Sequence, residues 1–240
     1  MVEDIILWIK NYFKDVKGPA VVGISGGTDS SVCATLLTKA LGKDRVIGVL
    51  MPKGNQHDIN YSKELVKLLD IKSFEINIGE TVDELNKVIS KELNTNPLLN
   101  DAYKTNTPAR IRMTTLYGIC ALYNGRVCNT CNLSEDYVGY STKFGDAAGD
   151  FSLLADFTKT EVRQIGRELG LPSKFVEKIP EDGMSGLSDE EKLGFTYETL
   201  DKYIRTGEIS DLKIKERIEH LHKANLHKLL PMPKYIKKWN

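Results

Sequence analysis

Alternating apolar and polar positions divide the chain into short buried strands and longer amphipathic helices. Residues 2–16 place Ile5, Ile6, Trp8, Ile9, Tyr12 and Phe13 at mainly helical spacing, which predicts a lead-in helix. The run Ala20-Val21-Val22-Gly23-Ile24 predicts a first strand over 19–24, with a helix after it to Leu41. Residues 45–51 read as a second strand, 58–69 as a helix, 73–78 as a third strand and 81–93 as another helix. Strands alternating with helices imply parallel βαβ units, and right-handed crossovers wind these into one sheet. The predicted class is therefore α/β: a Rossmann-like doubly wound parallel sheet with helices on both faces.

Residues 94–106 are rich in Asn, Thr and Pro and predict a loop, followed by a long helix over 107–123 and a short strand over 126–130. Between Asn132 and Asp150 the chain is polar and Gly-containing, the kind of irregular stretch that carries sites. Thr158-Lys159-Thr160-Glu161 is a capping box that opens a helix ending near Gly170. Residues 179–189 read as a flexible loop, and the remainder as a helical C-terminal part with a Pro- and Lys-rich tail. With no internal repeat, the pattern predicts one domain over 1–240.

Composition narrows the function. The chain has 240 residues, 41% of them apolar, enough for a substantial core. Lys plus Arg and Asp plus Glu both number 33, so formal net charge is zero, which argues against nucleic-acid binding through bulk electrostatics. No apolar run approaches a membrane span, and Met1-Val2-Glu3-Asp4 lacks a basic-then-apolar signal pattern; the expected location is the cytoplasm. Cys33, Cys120, Cys128 and Cys131 fit a reducing compartment, with Cys33 and Cys120 as buried fillers in helical patterns.

The chemistry begins at Ser25-Gly26-Gly27-Thr28-Asp29-Ser30-Ser31. A buried strand, a Gly-rich turn and a helix start point unpaired N–H groups at one spot, where the helix dipole also favours negative charge. That is a phosphate cradle. No lysine follows the glycines, so it is not a Walker loop, and the third glycine of a dinucleotide fingerprint is missing. An acid, Asp29, sits inside the turn instead, tolerable among phosphates if it meets a cation such as Mg²⁺. The alternative is a polar turn with Asp29 or Ser30 as an N-cap.

The loop resembles the SGGxDS pyrophosphate loop of the ATP pyrophosphatases. Together with Ala109–Tyr117, Asn129–Asp146, Asp156–Pro172, Ser188–Gly194 and Asn225–Pro231, the chain resembles ammonia-dependent NAD synthetase over essentially its whole length. The resemblance implies an adenine nucleotide alpha hydrolase-like fold and a two-step reaction. ATP adenylates the nicotinate carboxylate of deamido-NAD and releases pyrophosphate; ammonia then displaces AMP. It also implies roles. Gly23, Ile24, Ser25, Gly26, Gly27, Thr28, Asp29, Ser30 and Ser31 hold ATP, together with Thr130 and Lys159. Asp29 and Glu135 hold Mg²⁺. Arg110, Lys143, Asp150, His227 and Lys228 bind deamido-NAD, with Tyr140 a candidate to stack on the pyridine ring. Asp146 is the candidate to meet incoming ammonium, unless it merely caps a turn; it and Lys159 are the expected catalytic residues. Few residues precede the first helix, so no glutaminase domain is expected and free ammonia, or a separate partner, supplies the nitrogen. A homodimer is implied, and Ile5, Ile6, Trp8, Ile9 and the helix 107–123 offer apolar surface for it.

Two positions depart from the family pattern. Asn129 stands where relatives carry Gly, and an Asn can take the positive φ that such a turn requires. Glu181 stands where relatives carry Ser or Thr against ATP phosphates, which implies another loop path or a metal contact. Cys128-Asn129-Thr130-Cys131 leaves open a tRNA-thiolating pyrophosphatase with an iron–sulfur cluster, for which Cys33 would be a third ligand; the other reading is two packing cysteines. A nucleotide-binding sensor on the same fold is the non-enzymatic alternative.

Overall fold

The structure, a computed structural model, describes residues 1–56, 58–178 and 188–237. Its sheet is built from β1 (Ala20–Gly23), β2 (Val46–Leu50), β3 (Lys72–Glu75), β4 (Arg126–Asn129) and β5 (Phe151–Ser152), in the order β3-β2-β1-β4-β5, with every pairing parallel. Alternation along β1 and β2 explains the two faces. Ala20, Val22, Val46 and Leu50 point into one cluster with α1 (Val2–Tyr12), α2 (Thr28–Leu41), α3 (Ile59–Leu69), α7 (Lys159–Glu168) and α8 (Ser173–Val176). Val21, Ile47 and Val49 point the other way, against α4 (Gly79–Leu93) and α5 (Asp101–Tyr123). Strands covered on both faces read as near-continuous apolar runs, as these do.

A third apolar cluster joins α6 (Leu133–Val138), α9 (Asp189–Leu193), α10 (Tyr197–Thr206) and α11 (Leu212–Leu229) around Val138, Tyr197, Leu200 and Ile218. It is the expected helical C-terminal part. The chain runs β1-β2-β3 outward in one direction and returns to place β4 and β5 on β1's other side. The strand order therefore reverses beside β1, and the crevice at the carboxyl ends of β1 and β4 is where such sheets bind ligands.

Several expectations are corrected. The loop expected over 94–106 holds a 3₁₀ turn at Pro97–Leu99, and α5 starts at Asp101 rather than 107. The polar residues are helix-starting chemistry: Asn100 caps α5 by accepting from Tyr103 N at 2.9 Å, and Thr105 Oγ1 bonds back to Asp101 O at 2.9 Å. The third strand ends at Glu75, although Ile76 and Ile78 still donate to Leu50 and Pro52 carbonyls. The irregular stretch after Asn132 contains α6, and β5 was not foreseen. The lead-in helix stops at Tyr12, short of residue 16. Of the loop expected over 179–189, Ser188 caps α9 and Asp189 begins it; residues 179–187, with Glu181, lie outside the described residues.

Candidate active site

The phosphate loop leaves β1 at Gly23. Gly26 takes φ +74°, and a Cβ there would lie 2.6 Å from Tyr61 Cβ and 2.8 Å from Ser62 N, so only glycine lets the loop pass under α3. Ser31 Oγ donates to Gly27 O at 2.7 Å, Ser25 and Ser30 hydroxyls sit 3.1 Å apart, and Thr28 Oγ1 donates to Val176 O at 3.2 Å. The loop is thus held by its own hydroxyls. No side chain caps the start of α2, where Gly27 is the N-cap. Its first-turn N–H groups have no partner within the helix, an arrangement that accepts an anion.

A second helix start faces it. After β4, Asn132 caps α6 through a capping box: its Oδ1 accepts from Glu135 N at 3.0 Å, and Glu135 reaches back to Asn132 N. The same Asn132 donates from Nδ2 to Asp29 Oδ1 at 2.9 Å. One amide thereby orients both carboxylates. Lys159, the first residue of α7, is 2% exposed, and its Nζ lies 2.5 Å from Asp29 Oδ2 and 3.1 Å from Glu135 Oε1. The Tyr197 ring lies 5.5 Å from that ammonium. Burial opposes the charge on Lys159, but Asp29 and Glu135 outweigh it and hold the ammonium protonated. Burial pushes Glu135 up to about 7; Lys159 restrains the rise and Asp29 adds to it. The structure therefore brings Asp29, Glu135 and Lys159 together, with the Lys159 ammonium buried between the two carboxylates.

The residues expected at the second substrate gather separately, around the turn 139–147. Arg110 Nε donates to Lys143 O at 3.2 Å, Lys143 Nζ to His227 O at 2.5 Å, and Lys228 Nζ to Gly139 O at 2.6 Å and Ser141 O at 2.9 Å. Asp146 Oδ1 accepts from Thr142 N at 2.8 Å, so it does cap the turn. Burial raises its carboxyl, opposed by that backbone bond and by Lys228. Asp136 is pushed up to about 6 by burial and by Asp146. Asp150 accepts from Val127 N at 2.7 Å and, with Asp136, Asn129 and Lys228, lines an open cavity of about 270 Å³. Tyr140 is half-buried, packs against the third cluster and bonds through its side chain to Asp189. Thr130 follows β4 directly and is half-buried.

Asn129 does not need positive φ. It closes β4 in extended conformation and ties the turn from its side chain, donating to Asp146 O (2.7 Å) and Ala148 O (3.0 Å) and accepting from Cys131 N (2.9 Å). All four cysteines are free and buried. Burial raises the Cys33 and Cys131 thiols, and nearby carboxylates add to it. Among the described residues no group of three or more His, Cys, Asp or Glu is arranged to hold a metal, which leaves the cluster reading without support.

Asn132 and α10 carry site residues beyond those expected from the sequence, although Asn-x-x-Glu is a legible capping signal. Tyr197 and Asp201 on that helix both face the site (Asp201 Oδ2 accepts from Thr160 N at 2.7 Å), while Arg205 grips Glu161 of α7.

Known proteins place this geometry in a family. The NAD synthase family model matches residues 1–235. The NH(3)-dependent NAD(+) synthetase of Mesoplasma florum is 37% identical over 227 residues, covering 93% of this chain and 91% of its own length. Among solved structures, the NMN synthetase from Francisella tularensis superposes with a TM-score of 0.86 at 31% identity, covering 98% of this chain and 97% of that one. The NH3-dependent NAD synthetase from Campylobacter jejuni gives 0.77 at 29% identity, with the same coverage. With a model matched over residues 1–235 and a 37% identical relative covered over 91% of its length, the chain belongs to the NAD synthase family.

Proposed function

We propose that this chain amidates deamido-NAD with ammonia at the expense of ATP, giving NAD, AMP and pyrophosphate. The observation that carries the residue assignment is the Asp29–Lys159–Glu135 cluster opposite the uncapped start of α2. A triphosphate seated on the α2 amides lies against that cluster, with Lys159 available to follow charge onto the polyphosphate. The nicotinate carboxylate oxygen attacks the α-phosphorus, the bond to the bridging β-phosphate oxygen breaks, and pyrophosphate leaves. Ammonia then attacks the acyl carbon, the carbon–oxygen bond to AMP breaks, and the nitrogen sheds a proton to leave the amide. A carboxylate is a poor acyl donor; the adenylate supplies a leaving group, while the protein positions and neutralises charge.

Two hard-oxygen carboxylates beside a phosphate cradle fit Mg²⁺, which takes one or two protein carboxylates and completes its shell with phosphates and water. Bound there, Mg²⁺ would neutralise the polyphosphate charge. Arg110, Lys143 and Lys228 supply the positive rim, His227 an imidazole beside it, and Asp150 the acidic wall, for the dinucleotide. Tyr140 at the pyridine, Thr130 at ATP and Asp146 at ammonium stay proposals of this reading; Asp146→Asn with unchanged ammonium affinity and turnover would remove the last.

The test is an end-point assay with Mg-ATP, deamido-NAD and ammonium, scoring NAD, AMP and pyrophosphate together. Equal yields, lost in Asp29→Ala, support the proposal; AMP and pyrophosphate without NAD overturn the acceptor. Likeness to an NMN synthetase favours a second acceptor, the mononucleotide acid in place of the dinucleotide, and the same assay run with each ranks them by kcat/KM. We also propose that residues 1–240 act as a single domain, as a homodimer in the cytoplasm. Ile5, Ile6 and Ile9, expected at that surface, are instead buried in the core; Leu7 (58% exposed) and Trp8 (46%) on α1, and Leu122 (78%) on α5, offer apolar surface to a second copy. A fully active monomer in sedimentation at micromolar concentration would refute the pairing. No described helix is long and apolar enough to cross a membrane.

A further inference from the structure

Among the helix starts at the site, those of α2 and α7 differ in one respect. The start of α2 is uncapped, whereas every first-turn N–H of α7 is taken by the protein itself. Lys159 N donates to Ser134 Oγ at 2.9 Å, Thr160 N to Asp201 Oδ2 at 2.7 Å, and Glu161 N to Thr158 Oγ1 at 3.5 Å. Asp201 comes from α10, is 5% exposed, and spends its other oxygen on Ser134 Oγ, which donates at 2.5 Å.

A buried carboxylate is costly unless both oxygens are partnered and a compensating charge or dipole is near. Asp201 has both partners and sits at the positive end of α7, where a phosphate would otherwise be welcome. Its two partners are informative. Thr160 is the residue after Lys159, and Ser134 is the residue before Glu135. Ser134 Oγ also accepts from the Lys159 backbone, so one carboxylate and one hydroxyl clasp the backbones carrying the ammonium and the second carboxylate. A cap for α7 is not what the clasp is needed for, because Thr158 and Glu161 already form a reciprocal box. The same stripe of α10 meets α7 at two further points outside the clasp. The Tyr197 ring lies against the Lys159 ammonium, and Arg205 grips Glu161 at 3.0 Å.

We propose that Asp201, acting through Ser134, is a positioning residue that sets the spacing of Lys159 and Glu135 for the adenylation half of the reaction. By filling the start of α7 it also leaves the start of α2 as the place for the polyphosphate. The proposal rests on the assignment of Asp29, Glu135 and Lys159 to the ATP–metal end of the site.

The test compares Asp201→Asn and Ser134→Ala with Arg205→Gln, which loosens α10 from α7 without touching the clasp. Asp201→Asn keeps shape and one acceptor, so it is the variant that folds if Asp201→Ala does not. Two readouts are taken: Mn²⁺ affinity, by calorimetry on protein saturated with a non-hydrolysable ATP analogue, and the rates of pyrophosphate release and of ammonium use. Expected in both clasp variants is a loss of about ten- to a hundredfold in Mn²⁺ affinity and pyrophosphate release, the range for outer-sphere partners of metal ligands. The ammonium KM stays within twofold of wild type, and Arg205→Gln keeps wild-type Mn²⁺ affinity. Wild-type Mn²⁺ affinity and pyrophosphate release in folded Asp201→Asn overturn the positioning role. So do losses that affect every parameter alike, in step with the fraction folded. Wild-type Mn²⁺ affinity in Asp29→Ala instead sinks the assignment of the site itself, and the proposal with it.

Discussion

Replacing Lys159 by methionine keeps the length of the side chain and removes its charge. At 2.5 Å from Asp29 and 3.1 Å from Glu135, each contact carries roughly 5–7 kcal/mol of Coulomb energy at an effective dielectric of about 20. Burial of the three charges cancels most of that. The net cost of removing one partner from a buried pair is about 3–5 kcal/mol, because the carboxylates remain and repel. For a chain of this size that is a fall in Tm of roughly 10 °C. Glu135, already pushed up to about 7 beside the ammonium, then holds its proton to higher pH, which relieves part of the loss near neutrality. The two carboxylates are also left without a cation between them, so Mg²⁺ alone should raise the Tm of Lys159→Met by several degrees while barely moving wild type. Thermal denaturation with and without Mg²⁺, in the absence of nucleotide, reads both effects. A variant with wild-type Tm and no response to Mg²⁺ would falsify the charge balance described for this site.

Three further outcomes are expected. Gly139 takes φ +67°, and a Cβ there would lie 2.1 Å from Asn225 Cβ, so Gly139→Ala should cost ~2–3 kcal/mol by prising α11 from the end of α6; an unshifted urea midpoint contradicts that contact. Asn132→Ala removes an N-cap and the donor to Asp29, and should lower stability by about 1–2 kcal/mol while slowing pyrophosphate release more than that loss accounts for; chemical denaturation beside a release assay separates the two. Asp136 has a folded pKa of about 6 against an ordinary 3.8, so its contribution to stability is complete below 3.8 and fades as pH rises through about 6. The Tm of Asp136→Asn, scanned without nucleotide, should therefore decline less than wild type across that window; parallel curves would refute it.

The sheet and the phosphate loop were legible because their signals are local. A strand, two glycines and a helix start lie within a dozen residues, and the glycine requirement at Gly26 is met by the turn itself. Lys159 was legible only through resemblance. Its capping box says where α7 starts but not that its side chain turns inward to Asp29, 130 positions away. The clasp was missed for the same reason. Tyr197, Asp201 and Arg205 lie at i, i+4 and i+8, which marks one face of a helix, yet nothing in that spacing says the face meets α7 and not solvent. The error at 94–106 has another source. Asn, Thr and Pro favour loops by composition, whereas here Asn100 and Thr105 serve the first turns of α5. Asn129 shows the converse: a residue noted for its tolerance of positive φ is held through its side chain, which donates to Asp146 O and Ala148 O and accepts from Cys131 N and Ser152 Oγ.

The central strand, β1, is completed late. Ala20 pairs with Val46 on one side but with Arg126 on the other, so β1 stays an unpaired apolar edge until more than half the chain has been made. A chain emerging from the ribosome presents Asp29 and its phosphate loop long before Lys159 or Asp201 exists to balance and clasp them. Such an edge is a template for unwanted pairing, and the half-made cradle lacks its cation. A nascent or truncated chain therefore has an exposed aggregation-prone strand, and its Asp29 carboxylate waits for the buried ammonium of Lys159 until translation reaches residue 159.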